Sequence, residues 1–210
     1  MKNFKITILI LFGFLVKVNA QTLTPMKDTT FFIREITEMN KALISLESDF
    51  TQEKLISVMS EKIISKGHFC FKKQNKILWE YTTPFTYRIV INNTNMWIQD
   101  NKKTKRYNMQ SNKIFKTIND LMSSTVQGNV LGNKDYKARF MENSKYDVIE
   151  LSPVQKETKE FVKVIQLFFD KKLHDVVKVK MTEPSEDYTI IDFTNRKRNI
   201  NIGDEKFTVK

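Results

Sequence analysis

Large apolar side chains alternate with polar or smaller ones through Gly67-His68-Phe69-Cys70-Phe71-Lys72-Lys73. The pattern repeats through Ile77-Leu78-Trp79-Glu80-Tyr81, and then through Ile89-Val90-Ile91, which leads past Asn92-Asn93-Thr94-Asn95 into Met96-Trp97-Ile98. A period of two marks a strand with one dry face and one wet face. The spacing predicts strands over 49–59, 63–73, 76–82, 87–91, 95–100 and 104–108. Their connections are short and rich in Asn, Lys and Asp, so neighbours in sequence must pair antiparallel as a meander. After residue 130 the pattern resumes over 136–141, 146–151, 161–169, 174–181 and 188–194, and Phe207-Thr208-Val209 is a further short candidate outside the count. About ten or eleven antiparallel strands result.

Two stretches change period. Phe32, Ile36, Met39, Leu43 and Leu46 recur at steps of four and three, which predicts one buried helix face about five turns long. Thr24 is placed to cap that helix, Pro25 suits its first turn and Asp28 favours its positive end. A second helix is predicted over 112–127. Ile114, Ile118, Leu121 and Met122 lie on one side of it, and Gly128 ends it. A sheet of this size curls because strands twist. Its concave side is where two apolar helix stripes would be buried. Aromatic area there either fills a core or lines a hollow, and the two readings imply different functions.

The first twenty residues differ from the rest. Lys2 and Lys5 precede an apolar run from Ile6 to Val16, and Val18-Asn19-Ala20 follows. A run of about a dozen residues is short of the ~20 that a membrane span needs. It reads as a secretory signal peptide cut after about Ala20, with a retained anchor as the alternative. Residues 21–210 then make a single domain, exported and soluble. Cys70 is the one cysteine, so no internal disulfide forms and the core alone holds the fold. The net charge of +11 is scattered, with clusters at Lys102-Lys103-Thr104-Lys105-Arg106, Lys171-Lys172 and Arg196-Lys197-Arg198. These fall at hairpin tips and strand ends, where lysine is a common solvated guard against edge pairing. A docking patch is the other reading. An exported protein has little occasion to meet nucleic acid, so that partner is set aside.

Candidate chemistry is sparse. His68 and Cys70 stand two apart on one predicted strand and share a face, which leaves a Cys/His pair or half a metal site open. A less buried strand face explains them equally. There is no nucleophile elbow, phosphate loop or dinucleotide fingerprint, so no catalytic residue, metal or cofactor is assigned.

The order of parts resembles the LolA family, periplasmic carriers of outer-membrane lipoproteins. The resemblance runs from an amphipathic helix into Asp49-Phe50-Thr51-Gln52, then Gly67-x-Phe69-x-Phe71-x-Lys73, Trp79-x-Tyr81-x-x-Pro84, Ile89-Val90-Ile91 and Met96-Trp97-Ile98. It closes on Thr189-x-Ile191-x-Phe193-x-Asn195-x-x-x-Asn199 and Phe207. What it implies is an α+β fold, an unclosed antiparallel β-barrel with a helical lid. The hollow would take the acyl chains of a lipoprotein. The same resemblance implies a monomer that receives this cargo from an inner-membrane ABC transporter complex and passes it to an outer-membrane acceptor, without enzymatic activity. Candidate cavity residues are Phe50, Phe69, Phe71, Trp79, Tyr81, Ile89, Ile91 and Trp97. Ile114, Ile118, Leu121 and Met122 would form the lid face. In the family pattern an Arg-Pro pair follows the Gly strand and the Arg latches the lid. Lys73 and Gln74 stand there in this chain, and lysine offers a point charge in place of a planar fork. A carrier or sensor of a different lipid or glycolipid is the alternative function.

Overall fold

The computed structural model describes residues 22–59, 61–100, 103–108 and 134–209. Its elements are β1 (Thr24–Pro25), α1 (Thr29–Lys41), β2 (Ser45–Ile56), β3 (Glu61–Lys72), β4 (Lys76–Thr83), β5 (Tyr87–Asn92), β6 (Asn95–Asp100) and β7 (Lys103–Asn108). Then follow β8 (Tyr136–Glu142), β9 (Tyr146–Pro153), a one-turn α2 (Lys156–Lys159), β10 (Val164–Asp170), β11 (Val176–Thr182), β12 (Tyr188–Arg198) and a 3-10 turn at Asp204–Phe207. One 12-stranded sheet holds them all, in the order β1-β8-β9-β10-β11-β12-β2-β3-β4-β5-β6-β7. It is two meanders joined at a seam, where β12 pairs with β2. Its edges, β1 and β7, do not pair with each other, so the sheet is an unclosed half-barrel.

Several sequence expectations change. The count of 12 exceeds the expected ten or eleven by the short β1. Thr24 and Pro25 do not start the helix; they pair with Glu142 and Met141 of β8. Asp28 caps α1, its carboxylate accepting the Phe31 N–H at 2.9 Å. The helix stops at Lys41, short of Leu43 and Leu46. Leu46, Ser48 and Phe50 also read at period two, and from Ser45 onward the backbone gains a strand partner in β3. Tertiary pairing outweighs the local helical pattern there. Phe207 ends a 3-10 turn in place of a strand. The predicted signal peptide and the predicted helix over 112–127, with Ile114, Ile118, Leu121 and Met122, lie outside the described residues.

Directly opposed residues on antiparallel strands point to the same side. One such row runs Ser48, Phe69, Trp79, Ile89 and Ile98 across β2 to β6. Another runs Ile149, Leu167, Val179 and Ile191 across β9 to β12. These define the inner face, which carries two clusters. The first is largely aliphatic: Ile149, Leu151, Ile165, Leu167 and Phe169, with Phe32 and Ile36 of α1 pressed onto them. Burying each of those two α1 side chains stabilises the contact by about 1.5–3 kcal/mol. The second is aromatic: Phe50, Phe69, Phe71, Trp79 and Tyr81, joined by Ile77, Ile91, Met96 and Leu43.

The outer face of β3–β5 has its own cover. Cys70, Leu78 and Val90 bury against Ile202 and Phe207 of the C-terminal segment. Polar ties fasten this strap. The Ser45 hydroxyl donates to the Ile200 carbonyl at 2.6 Å, and Lys72 and Lys76 hold Asp204 at 2.6 and 2.8 Å. Lys206 reaches Glu47 at 2.9 Å.

Candidate functional site

Within the aromatic cluster Phe50, Phe69, Trp79 and Tyr81 form a wall of touching rings. Phe50 lies 4.9 Å from Trp79 and 5.0 Å from Tyr81 between ring centroids, and Phe69 lies 5.0 Å from Trp79 and 5.9 Å from Phe193. Tilted and edge-to-face contacts of this kind suit the ring quadrupoles. Tyr81 stacks on Tyr87 at 4.2 Å and donates its hydroxyl to Gln52 Oε1 at 3.0 Å. Burial raises the Tyr81 phenol far above its ordinary range, so it stays a neutral donor. Gly67 makes the wall possible. It sits opposite Phe50, and a Cβ there would fall 2.8 Å from the Phe50 ring and 1.9 Å from the Glu80 carbonyl oxygen.

The structure brings Phe50, Phe69, Phe71, Trp79, Tyr81, Ile89 and Ile91 together on the inner face. Trp97 is not with them. It opposes Val90 and packs on the outer cluster, with the Arg106 guanidinium 6.0 Å from its ring centroid. Three consecutive apolar residues, Met96-Trp97-Ile98, leave the strand's parity open in sequence. Lys73 donates to the Lys41 carbonyl at 3.0 Å, at the C-terminal end of α1 where a cation is favoured. Its relation to the predicted lid falls outside the described residues.

His68 and Cys70 do share the outer face, but they do different things. His68 Nδ1 meets Asp49 Oδ1 at 2.6 Å on an exposed strand surface. Cys70 lies under the strap, and burial pushes its thiol up to about 11. A thiol so placed is almost wholly protonated at neutral pH and is a poor nucleophile. Among the described residues no group of three His, Cys, Asp or Glu could hold a metal ion.

The two inner clusters meet at a cavity of about 100 Å³. Leu46, Phe69 and Phe193 line it from the aromatic half, and Leu167, Phe169 and Val179 from the aliphatic half. Polar groups reach the same space: Asn40, Ser48, His174, Asp175, Arg196 and Arg198. The sequence reading missed the contribution of the aliphatic half, although Ile165, Leu167 and Phe169 carry the period-two signal that could have shown it.

Residues 41–210 match the family described as outer membrane lipoprotein carrier protein LolA. The chain belongs to the LolA family. Among solved structures, a LolA superfamily protein from Nitrosomonas europaea, NE2245, is similar at 11% identity and a TM-score of 0.43, covering 84% of this chain and 97% of that one. The Pseudomonas aeruginosa MucA/MucB complex is similar at 10% identity and a TM-score of 0.47, over 86% of this chain and 60% of that one. LprF from Mycobacterium bovis is similar at 10% identity and a TM-score of 0.41, over 86% and 98%. Among curated proteins none matches the chain.

Proposed function

We propose that this protein is a periplasmic carrier that shields the acyl chains of lipoproteins on its inner face while they cross between membranes. The observation that carries the reading is the continuous apolar face, aromatic on one side of the seam and aliphatic on the other, in a sheet that does not close. Each methylene kept from water contributes ~0.8 kcal/mol, so long acyl chains cannot cross an aqueous space unescorted. No covalent step is needed. The signal-like first twenty residues support export, and membership of the family supports a donor complex in the inner membrane and an acceptor in the outer one.

The described cavity sets a condition. Pockets that hold drug-sized ligands are about 300–1,000 Å³, and the space here is about 100 Å³. A whole acyl chain enters only if the wall or an overlying element moves. The empty state then buries the same aromatic surface that cargo buries, which keeps affinity moderate and release feasible. Purified protein, extracted with organic solvent and analysed by mass spectrometry, should yield acylated peptide. Depleting the protein should strand lipoproteins in the inner membrane. A purified protein with no acyl species, together with normal lipoprotein sorting after depletion, would remove the proposal.

A further inference from the structure

Strand β12 changes parity halfway along. Ile191 and Phe193 belong to the inner cluster, so a regular strand would turn 195 and 197 inward after them. Instead the pairing with β2 slips between Thr194 and Lys197. Asn195 adopts a φ of 51° and donates to Asp49 Oδ2 at 2.7 Å, on the outer side. The extra residue swings Arg196 and Arg198 onto the inner face, where both line the cavity. Bulges commonly re-aim a side chain beside a site in this way.

The two arginines are not equivalent. Arg198 is neutralised by an ion pair with Asp175 and gives another N–H to the Met39 carbonyl at 2.8 Å. Arg196 gives one N–H to the Val176 carbonyl at 2.9 Å and makes no ion pair among the described residues. Asp170 feels its charge from further off, but that carboxylate already accepts the N–H groups of Lys172 and Leu173 at 2.9 and 3.1 Å. Opposite the bulge stands Ser48, 2% exposed, whose hydroxyl has no hydrogen-bond partner among the described residues. Nδ1 of His174, on the same cavity, is buried and likewise unpartnered. Buried polar groups are normally paired.

A wall of Leu, Phe and Val therefore holds a spare hydroxyl, a spare imidazole nitrogen and a guanidinium that makes no ion pair among the described residues, beside the Asp175 carboxylate that Arg198 already holds. Such a set complements an oxyanion, and a guanidinium fork fits a carboxylate in particular. Size narrows the choice. A cavity of ~150 Å³ takes a benzene ring, so about 100 Å³ admits a head of a few heavy atoms and the first carbons of a chain. We propose that the cavity holds the carboxylate end of a single fatty acyl chain, with Arg196 and Ser48 binding the head, the first carbons against Phe69 and Phe193, and the rest of the tail entering as the wall opens. This rests on the acyl-carrier reading and names a second ligand for the same face, a free fatty acid, because the linked acyl chains of a lipoprotein carry no carboxylate.

The test titrates the full chain with laurate, methyl laurate and dodecyltrimethylammonium at pH 8, below micelle formation. Binding is followed by the change in tryptophan fluorescence, expected from Trp79, whose ring touches Phe69 of the cavity wall, and not from Trp97 on the outer face. Laurate should bind about tenfold more tightly than its methyl ester, the size expected of one charge-assisted contact, and the cation should bind most weakly. Arg196→Gln should erase the preference for laurate and leave methyl laurate unchanged, while Arg196→Lys keeps part of it. Equal binding of laurate and methyl laurate by the unaltered protein overturns the inference and leaves the acyl-carrier reading standing on the ester. So does an equal weakening of both ligands in Arg196→Gln. Failure of both ligands to bind overturns the two together.

Discussion

The two halves of the sheet are braced from opposite sides. In the β8–β11 half the second layer is α1, and it lies inside: Phe32 and Ile36 fill the inner face and Phe32 meets Phe169 edge-on at 5.3 Å. In the β2–β6 half the second layer is the C-terminal strap, and it lies outside, with Ile202 and Phe207 against Cys70, Leu78 and Val90. The described members of the aromatic cluster come from strands and from Leu43 just past α1. The half braced from outside also keeps its inner face buried, Phe71 fully so, but no described helix contributes to that cluster. A half braced from inside has spent that face on stability. Under the proposed carrier function, the half braced from inside would be core and the other the surface that a guest uncovers.

The largest expected effect tests the backbone under the aromatic half. Gly67→Ala places a methyl group against the Glu80 carbonyl and the Phe50 ring, and should cost about 4 kcal/mol or more. Urea denaturation giving a loss below about 1 kcal/mol would mean the close approach is not required. Next, Ile149→Ala, fully buried in the aliphatic half, should cost about 2–5 kcal/mol and leave acyl binding per folded molecule unchanged. Phe69→Leu in the aromatic wall should reverse that balance, costing about 1 kcal/mol while weakening methyl laurate binding several-fold. If the two variants lower stability and binding in the same proportion, the halves are one core and the contrast fails.

The smallest effect concerns the outer brace. Lys72, and then Lys76, hold the Asp204 carboxyl down at about 2, below its ordinary 3.8. A folded-state value below the unfolded one means the ion pairs add stability above that ordinary value, and that the contribution is lost as pH falls toward 2. Asp204 is well exposed, so solvent screens the gain. Asp204→Asn should flatten acid denaturation slightly between those limits. An unchanged acid limb would show that the apolar contacts of the strap suffice.

Much of this was legible in the chain. Phe69, Phe71, Trp79 and Tyr81 announce their common face because a period of two is strict, and short polar turns fix antiparallel order. Trp97, expected on the cavity wall, lies with Leu78 and Val90 on the outer face, since the strap makes the outer side apolar as well and alternation disappears. The early helix was read too long because Leu43 and Leu46 fit both periods, and only the pairing of β2 decides between them. Arg196 read as part of a solvated basic cluster. Its inward turn depends on a slip in register against β2, and register is a relation between distant segments that one strand's composition does not carry.

The seam has a kinetic corollary. Glu53 and Tyr188 meet across it although they stand 135 positions apart in the chain. Hairpins within each meander can zip locally, whereas that junction waits on a long-range encounter, which is intrinsically slow. Until residues 188–207 are in place, β2 is a raw edge and the greasy wall behind it lacks its backing. A chain caught midway through synthesis would therefore be sticky, and the complete inner face would arrive in a single late step.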